Sequence, residues 1–186
     1  MVKVFYATIN GVALNENLIS ALPTVRKEYV STIKDPFRKA QSVLVWCLLQ
    51  EVLKKEFGFN DSLDFIQNNG EWSALNGGIE FSLSHSNNVV AVAVSNNRVG
   101  VDVELCSSKV LKVKKMFQID TQAIDEIEQL TLLWTQKESA YKSKINGNLF
   151  SKTLLIDGEK YVVTVNAIDN DVEFKFIDIQ NLLKGD

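Results

Sequence analysis

The sequence predicts an α+β protein in which helices pack against antiparallel sheets, and three observations support this fold class. Val89–Val94 is continuously apolar, as a buried strand is, while Tyr161–Val165 and Val172–Ile177 alternate apolar and polar residues like half-buried antiparallel strands. Asp35–Gly58 carries the start and stop signals of a long helix. With 186 residues, 46% of them hydrophobic, the chain can bury a core as one domain or as two small halves.

The first elements are a strand and the long helix. Val2–Thr8 is a short apolar strand candidate. Asp35 is a good N-cap, Pro36 suits the first helical position, and Gly58 is a common C-terminal stop. Because Val43–Leu49 is apolar on every side, this helix is predicted to be central and buried.

The middle of the chain predicts a loop followed by a hairpin. Residues 60–78 are rich in Asn, Gly and Asp, which predicts mostly loop with one short strand at Leu63–Ile66. Asn96–Asn97 follows the apolar strand Val89–Val94 and is a turn signal, because Asn tolerates positive φ. Arg98–Leu105 is then the predicted return strand of a hairpin.

Helices are also predicted at Lys109–Phe117 and Thr121–Lys144. Both parts of the chain therefore contain helices and antiparallel strands. We expect two closely packed halves, residues 1–98 and residues 99–186, the second of which carries most of the candidate site.

Composition excludes several classes of function. The net charge of −3 offers no basic excess for nucleic acid, and no apolar run reaches the roughly 20 residues that cross a bilayer. The N-terminal residues lack the apolar core of a signal peptide. Cys47 and Cys106 are far apart and form no CxxC pair, so we expect two free thiols in a reducing cytoplasm.

Asp102 and Glu104 are the first candidate site. Residues two apart on a strand share a face, so both carboxylates point one way, while Val99, Val101 and Val103 point to the other side. Two neighbouring carboxylates repel each other unless a positive charge lies between them, and a hard divalent cation with oxygen ligands satisfies that need. The alternative is an acidic, half-exposed strand face with no ligand.

The second candidate is a stripe on the helix over Thr121–Lys144. Trp134, Glu138 and Lys142 are spaced four apart and share a face, with Leu130 one turn earlier. A Glu–Lys pair at this spacing is also common on exposed helices. The neighbouring Trp instead favours the wall of a cleft.

The third candidate is His85, the only histidine, which lies between Ser84 and Ser86 at a strand end. Imidazole at such a position can pair with a phosphate, although a structural role is the alternative. No GxSxG nucleophile elbow, GxGxxG or GxxxxGKS motif is present, and one His with two distant Cys does not suit zinc.

In this order, the three segments resemble the signature of the phosphopantetheinyl transferases, which is SHS, then GxDxE, then a helix with WxxKExxxK. The monomeric type, which activates peptide, polyketide and fatty-acid synthases (the surfactin-synthetase-activating type), is the most similar. The matching segments are Ser84-His85-Ser86, Gly100-Val101-Asp102-Val103-Glu104 and Trp134-Thr135-Gln136-Lys137-Glu138-Ser139-Ala140-Tyr141-Lys142.

This resemblance implies a fold and a reaction. The fold is a pseudo-two-fold pair of similar α/β halves, with coenzyme A in the cleft between them. The reaction moves the 4'-phosphopantetheine arm of coenzyme A to a serine of an acyl or peptidyl carrier protein and releases adenosine 3',5'-bisphosphate. Mg²⁺ is the implied cofactor, and a cytoplasmic monomer that binds neither nucleic acid nor membrane is expected.

The resemblance also assigns roles to residues. Asp102, Glu104 and Glu138 would hold Mg²⁺ against the pyrophosphate, and Asp102 would also lie against coenzyme A. Glu138 would be the base for the carrier serine, and Lys142 would contact a phosphate oxygen. His85, with Ser84, would meet the phosphate on the ribose.

Arg38 matches a family arginine that holds the nucleotide phosphates. Weaker candidates for the nucleotide side and the cleft wall are Arg26, Lys27 and Trp134. A run of lysines after the acid pair could form a docking edge for an acidic carrier protein, or a solvated helix face; these are Lys109, Lys112, Lys114 and Lys115.

Two segments depart from the family pattern. The family usually has Gly-Lys-Pro before SHS, whereas Glu71 and Trp72 follow Gly70 here. Residues 145–149 keep one glycine of the family's Gly-x-Gly-Leu. These departures motivate an alternative function, a non-catalytic module that binds a carrier protein or coenzyme A. Three carboxylates would also allow a metal-dependent phosphoester hydrolase.

Overall fold

The computed structural model describes residues 1–59, 64–68, 70–76, 78–117 and 126–183. Its strands are β1 Val2–Thr8, β2 Phe65–Asn68, β3 Glu71–Ala74, β4 Glu80–Ser86, β5 Val89–Ser95, β6 Val99–Leu105, β7 Asn148–Ile156, β8 Glu159–Ala167 and β9 Val172–Phe176. Its α-helices are α1 Glu16–Ser20, α2 Thr24–Ser31, α3 Pro36–Phe57, α4 Lys114–Phe117, α5 Glu126–Ser143 and α6 Ile179–Leu183, and a 3-10 helix spans Ser108–Val113.

The strands form a four-stranded sheet in the order β4-β5-β1-β9, a three-stranded sheet in the order β6-β8-β7, and the separate hairpin β2-β3. The α+β class with antiparallel sheets and packed helices is confirmed. One pairing was predicted wrongly, because β9 runs parallel to β1, with Val172 opposite Val2. Strand alternation reports which faces are buried and not which neighbour a strand takes.

The long helix α3 follows its sequence signals closely. The Asp35 carboxylate accepts the backbone N–H of Arg38 at 2.7 Å, and Gly58 ends the helix in the left-handed conformation at φ 71°. The whole of Val43–Leu49 is buried, which confirms the prediction of a central helix. Its apolar side chains and one face of the four-stranded sheet form the first core.

The hairpin was predicted at the wrong pair of asparagines. Asn96–Asn97 connects β5 to β6, which lie in different sheets, whereas Asn87–Asn88 forms the turn of the β4–β5 hairpin. Asn87 adopts φ 46°, a left-handed conformation that Asn tolerates well. Strand β6 pairs instead with β8, which places Asp102 opposite Thr164.

The second core lies between the two large sheets. It joins valines of β1 and β5 to Val101 and Val103 of β6 and to Val163 and Val165 of β8. Helix α5 covers the opposite face of the three-stranded sheet, where the Thr135 and Thr164 hydroxyls are 2.7 Å apart. The layers therefore run α3, four-stranded sheet, three-stranded sheet, α5.

The structure decides two further predictions and describes only part of a third group. Tyr161–Val165 was predicted to be half-buried, but it is fully buried because β8 is the middle strand of its sheet and is covered on both faces. The helical prediction for Lys109–Phe117 is confirmed as the 3-10 helix followed by α4. The predicted starts at Leu63 and Thr121 fall outside the described residues, within which β2 begins at Phe65 and α5 at Glu126.

Four elements carried no sequence prediction: α1, α2, β7 and α6. The prediction of mostly loop with one strand over residues 60–78 missed β3, which pairs with β2. Among the described residues, no helix is both long and apolar enough to cross a membrane. The division at residues 98 and 99 and the pseudo-two-fold relation stay predictions. Strand β9, which belongs to the second predicted half, lies in the same sheet as β1, β4 and β5 of the first.

Candidate functional site

The two large sheets meet through a row of serines, which we call the serine ladder: Ser82, Ser84 and Ser86 on β4. Their hydroxyl oxygens accept the backbone N–H groups of Val101, Val103 and Leu105 on β6 at 3.0, 3.2 and 3.1 Å. Strand β6 is the edge of its sheet, so these N–H groups would otherwise lack partners. The ladder therefore holds β4 directly against the strand that carries the acid pair.

Asp102 lies at the centre of this junction and is 5% exposed. Its Oδ1 accepts hydrogen bonds from Lys142 Nζ at 2.7 Å and from Ser84 Oγ at 2.9 Å. Its Oδ2 is buried with no hydrogen-bond partner. Burial raises the pKa of Asp102, against the opposing effect of the Lys142 ammonium and the Ser84 hydroxyl.

Lys142 reaches Asp102 because α5 packs unusually close to β6. A Cβ on Gly100 would stand 2.0 Å from the backbone oxygen of Ser139 and 2.5 Å from the backbone nitrogen of Ser143. Only glycine permits this approach. The Lys142 ammonium also donates to the Val101 carbonyl at 3.0 Å, so one side chain ties the helix to the strand.

Glu104 lies two residues further along β6 and is half-buried. Its Oε2 accepts the Ser86 hydroxyl at 2.6 Å. Burial raises the pKa of Glu104, Ser86 and Lys142 oppose that rise, and the nearby charges of Asp102 and Glu138 add to it. The two acids of β6 and Glu138 of α5 are therefore close enough to influence each other electrostatically.

The carboxylate oxygens of Asp102 and Glu104 are suitable ligands for a hard cation. Each carboxylate has one oxygen held by protein donors, and the buried, unpartnered Oδ2 of Asp102 is an atom that a cation would satisfy. Among the described residues, no three His, Cys, Asp or Glu side chains form a metal cluster by themselves. Mg²⁺ commonly uses one or two carboxylates together with substrate phosphates, so the pair on β6 fits that ion.

His85 is exposed at the end of β4, pointing away from the serine ladder. Partial exclusion of water and the positive charges of Lys142, Arg38 and Arg26 lower the pKa of His85 to about 4. The ring is therefore neutral at pH 7 and lies within the electrostatic influence of three cationic side chains. An anion bound here would offset the repulsion that these cations exert on a protonated ring.

Arg26 is buried instead of lining an open surface. Its guanidinium lies 4.7 to 5.0 Å from the rings of Trp46, Trp72 and Tyr29, and it donates to the Ser42 carbonyl at 2.8 Å. Burial lowers the pKa of Arg26 to about 10. The arginine thus holds the β2–β3 hairpin, through Trp72, onto α3. The neighbouring candidate Lys27 is half-buried on α2.

Two cavities flank the acid pair. A cavity of about 300 Å³ contains Glu138 and Lys142 together with Glu71 and Trp72 of the β2–β3 hairpin. A second cavity, of about 470 Å³, contains Glu104. Its other lining residues are mostly apolar or basic, including Phe37, Val110, Val113, Trp134, Lys109 and Lys112. Trp134 therefore lines the second cavity, whereas Glu138 and Lys142 of the same helix stripe line the first.

The departures from the family pattern also have a structural setting. Glu71 forms an ion pair with Lys144 at 2.7 Å, which links the β2–β3 hairpin to the end of α5 beside the smaller cavity. Lys114 of the predicted docking edge pairs with Glu126, while Lys109 and Lys112 line the larger cavity. No local pattern predicts the pair of Glu71 and Lys144, because the two residues are 73 positions apart.

Sequence reasoning selected neither Ser86, whose hydroxyl binds Glu104, nor Ser82, which holds β6 without a hydrogen bond to a carboxylate of the described residues. Their signal was present in the spacing, because serines at every second position of a strand share one face. What the pattern could not show is that the face meets the edge of another sheet. Ser84 and Lys142, in contrast, both bind Asp102 at the junction. His85 is exposed and points away from the serine ladder, and Arg38 is connected to it only through the effect of its charge.

Comparison with known proteins found a distant similarity to one curated protein. No family model matches the chain. The chain is similar to "4'-phosphopantetheinyl transferase gsp" of Aneurinibacillus migulanus, with 28% identity over 120 residues. The match covers 60% of this chain and 49% of the relative, so the chain spans about half the length of the curated relative it matches. The similarity supports a distant relationship to a phosphopantetheinyl transferase.

Proposed function

We propose that this protein transfers the 4'-phosphopantetheine arm of coenzyme A to a serine of an acyl or peptidyl carrier protein. The observation that carries the proposal is the environment of Asp102. One of its oxygens is bound by Lys142 and Ser84, and the other is buried and unpartnered beside Glu104. This arrangement joins all three sequence motifs in one place, and a distant relative carries the same activity in its name.

Asp102 and Glu104 would hold Mg²⁺, with Glu138 as the predicted third carboxylate. When bound, the ion would neutralise negative charge on the pyrophosphate and its leaving group. Lys142, at the same junction, supplies a fixed positive charge for a phosphate oxygen. Phosphoryl transfer depends mainly on positioning and charge stabilisation of this kind.

The proposed reaction is a single displacement at the phosphorus that carries the pantetheine arm. The carrier serine Oγ forms a new P–O bond, and the P–O bond to the adenosine 3',5'-bisphosphate breaks. The proton of the serine hydroxyl passes to the Glu138 carboxylate, which lines the cavity beside Lys142. His85, whose pKa is lowered by burial and by the charges of Lys142, Arg38 and Arg26, would meet the ribose phosphate together with Arg38.

The second cavity is the proposed binding surface for the carrier protein. Its lining combines apolar residues such as Phe37 and Trp134 with Lys109 and Lys112. An acidic carrier would be attracted to these lysines. Changing Lys109 and Lys112 to Glu should slow transfer and leave binding of free coenzyme A unchanged.

One observation favours a second candidate function, a non-catalytic module that binds a carrier protein or coenzyme A. Glu71 stands where the family carries a lysine, and Lys144 engages it across the edge of the smaller cavity. Calorimetric titration with coenzyme A separates the two candidates. An active transferase should bind it tightly and in a Mg²⁺-dependent manner, whereas the module should bind weakly or without metal dependence.

The direct test mixes the protein with coenzyme A, Mg²⁺ and a panel of apo carrier proteins, and measures the intact mass of each carrier. A gain of one phosphopantetheine group on at least one carrier is expected. No gain on any carrier, with the protein folded, would reject the proposal. Release of adenosine 3',5'-bisphosphate without any carrier would indicate a phosphoester hydrolase instead.

A further inference from the structure

We propose that Ser86 is a positioning residue that orients Glu104 for Mg²⁺, a role separate from its share in joining the two sheets. This inference rests on the proposed function, because it concerns the same metal site. Ser86 does not touch the reacting atoms itself. It acts by fixing which oxygen of Glu104 is bound by the protein and which stays available.

The Ser86 hydroxyl takes part in two hydrogen bonds. Ser86 Oγ accepts the backbone N–H of Leu105 at 3.1 Å, which leaves its proton on the other side of the oxygen. That proton is donated to Glu104 Oε2 at 2.6 Å. Because the acceptor is a carboxylate and the distance is short, this is a strong, charge-assisted bond.

The same two-bond arrangement recurs one step along the serine ladder. Ser84 Oγ accepts from Val103 N at 3.2 Å and donates to Asp102 Oδ1 at 2.9 Å, and Asp102 Oδ2 is the atom left without a partner. In both cases a hydroxyl takes one oxygen of a carboxylate, so the remaining oxygen is the one offered to a cation.

Ser82 provides the comparison within the same strand. Its Oγ accepts the N–H of Val101 at 3.0 Å, as the other two serines accept theirs, but no hydrogen bond joins it to a carboxylate of the described residues. Ser82 and Ser86 therefore each accept one backbone N–H group of β6. Only Ser86 adds a bond to Glu104.

Removal of the Ser86 hydroxyl should have a specific consequence. Glu104 is half-buried, and the nearby charges of Asp102 and Glu138 repel it. Without the 2.6 Å bond its side chain is free to rotate away from Asp102. A divalent cation would then have to restore that orientation on binding, which weakens its affinity.

The experiment measures Mn²⁺ binding to the wild type and to three variants by electron paramagnetic resonance, without coenzyme A. Outer-shell partners of metal ligands typically affect metal affinity by about 10- to 100-fold, and we expect a loss in this range for Ser86→Ala. Ser86→Thr keeps the hydroxyl and should retain the affinity. Ser82→Ala should also bind like the wild type, because it removes one acceptor of a β6 N–H group and no bond to a carboxylate.

Urea unfolding midpoints and transfer to an apo carrier are measured in parallel. Equal Mn²⁺ affinity of Ser86→Ala and the wild type would overturn the inference. If the wild-type protein still modifies the carrier in that case, the proposed function stands. An equal loss in Ser82→Ala would also overturn it, because the effect would then come from the junction of the sheets. If the wild type neither binds Mn²⁺ nor transfers, both proposals fail. If Ser86→Ala does not fold, the Mn²⁺ affinity of Ser86→Thr tests the inference. Affinity equal to that of the wild type is expected, and weaker binding would contradict the inference.

Discussion

Gly100→Ala is the substitution whose effect follows most directly from the structure. The new Cβ would lie 2.0 Å from the Ser139 carbonyl oxygen and 2.5 Å from the Ser143 backbone nitrogen. Both are helix backbone atoms, so no side-chain rotation relieves the clash and α5 must move away from β6. Overpacking of this kind typically costs about 1–3 kcal/mol, and we expect about 3 kcal/mol here because the obstacle is rigid.

The movement of α5 would also carry Lys142 away from Asp102, whose ion pair measures 2.7 Å. Urea unfolding should therefore show a lower midpoint with an unchanged m-value, and transfer should fall more than stability alone explains. Gly58→Ala is the matched control. Nothing lies within 4 Å of its new Cβ, so only the left-handed conformation at φ 71° adds a cost, of about 1 kcal/mol.

A loss of less than about 0.5 kcal/mol in Gly100→Ala would refute the close packing of α5 on β6, because surface substitutions commonly fall in that range. Equal losses in the Gly100 and Gly58 variants would do the same, since the clash would then add nothing to the ordinary cost of replacing glycine.

Three further predictions concern other parts of the molecule. Glu138→Gln should abolish carrier modification with an unchanged unfolding midpoint, and retained transfer would remove the assigned base. Lys175 and Lys3 lower the pKa of Glu56, so this acid stabilises the fold above its unfolded pKa, and the stabilisation is lost as the pH falls through the folded pKa. The free energy of unfolding of Glu56→Gln should therefore differ from that of the wild type by less than about 1 kcal/mol at pH 7 and not at all in acid. A difference that does not depend on pH would contradict this prediction. Arg26→Met should lower the free energy of unfolding by about 1–3 kcal/mol and alter tryptophan fluorescence. An unchanged spectrum would argue against the contact of the guanidinium with the rings of Trp46 and Trp72.

Sequence reasoning succeeded where the signal is local. The long helix α3 was predicted with both ends correct, because Asp35 and Gly58 act within a few residues of themselves. The alternation in β6 correctly placed Val101 and Val103 in the core. Even so, Asp102 is nearly as buried as these valines, since α5 covers the face that a free sheet would expose to water.

The failures concern which strands pair. Two Asn–Asn pairs, at residues 87–88 and 96–97, carry the same local turn signal, and only the first closes a hairpin. The choice depends on β8, more than fifty residues further along the chain, which takes β6 as its partner. Likewise, the parallel pairing of β9 with β1 joins distant ends of the described chain, and no local pattern encodes it.

The junction at Asp102 shows the same division. The carboxylates, the lysine and the histidine were identified from motif spacing, but the role of the serines required knowledge of two sheet edges meeting. Hydrogen bonds from Ser84 and Ser86 decide how each acid is oriented. Motif spacing therefore selected residues that meet at the junction, such as Asp102 and Lys142, but not the hydrogen bonds that hold them there.

The most direct test of the central claim compares the wild type with Asp102→Asn on one apo carrier protein, with coenzyme A and Mg²⁺, by intact mass over time. We predict that the wild type adds one phosphopantetheine group to the carrier and that Asp102→Asn, although folded, adds none at a measurable rate. Equal rates for the two proteins would contradict the account, because the buried oxygen of Asp102 would then have no part in the reaction.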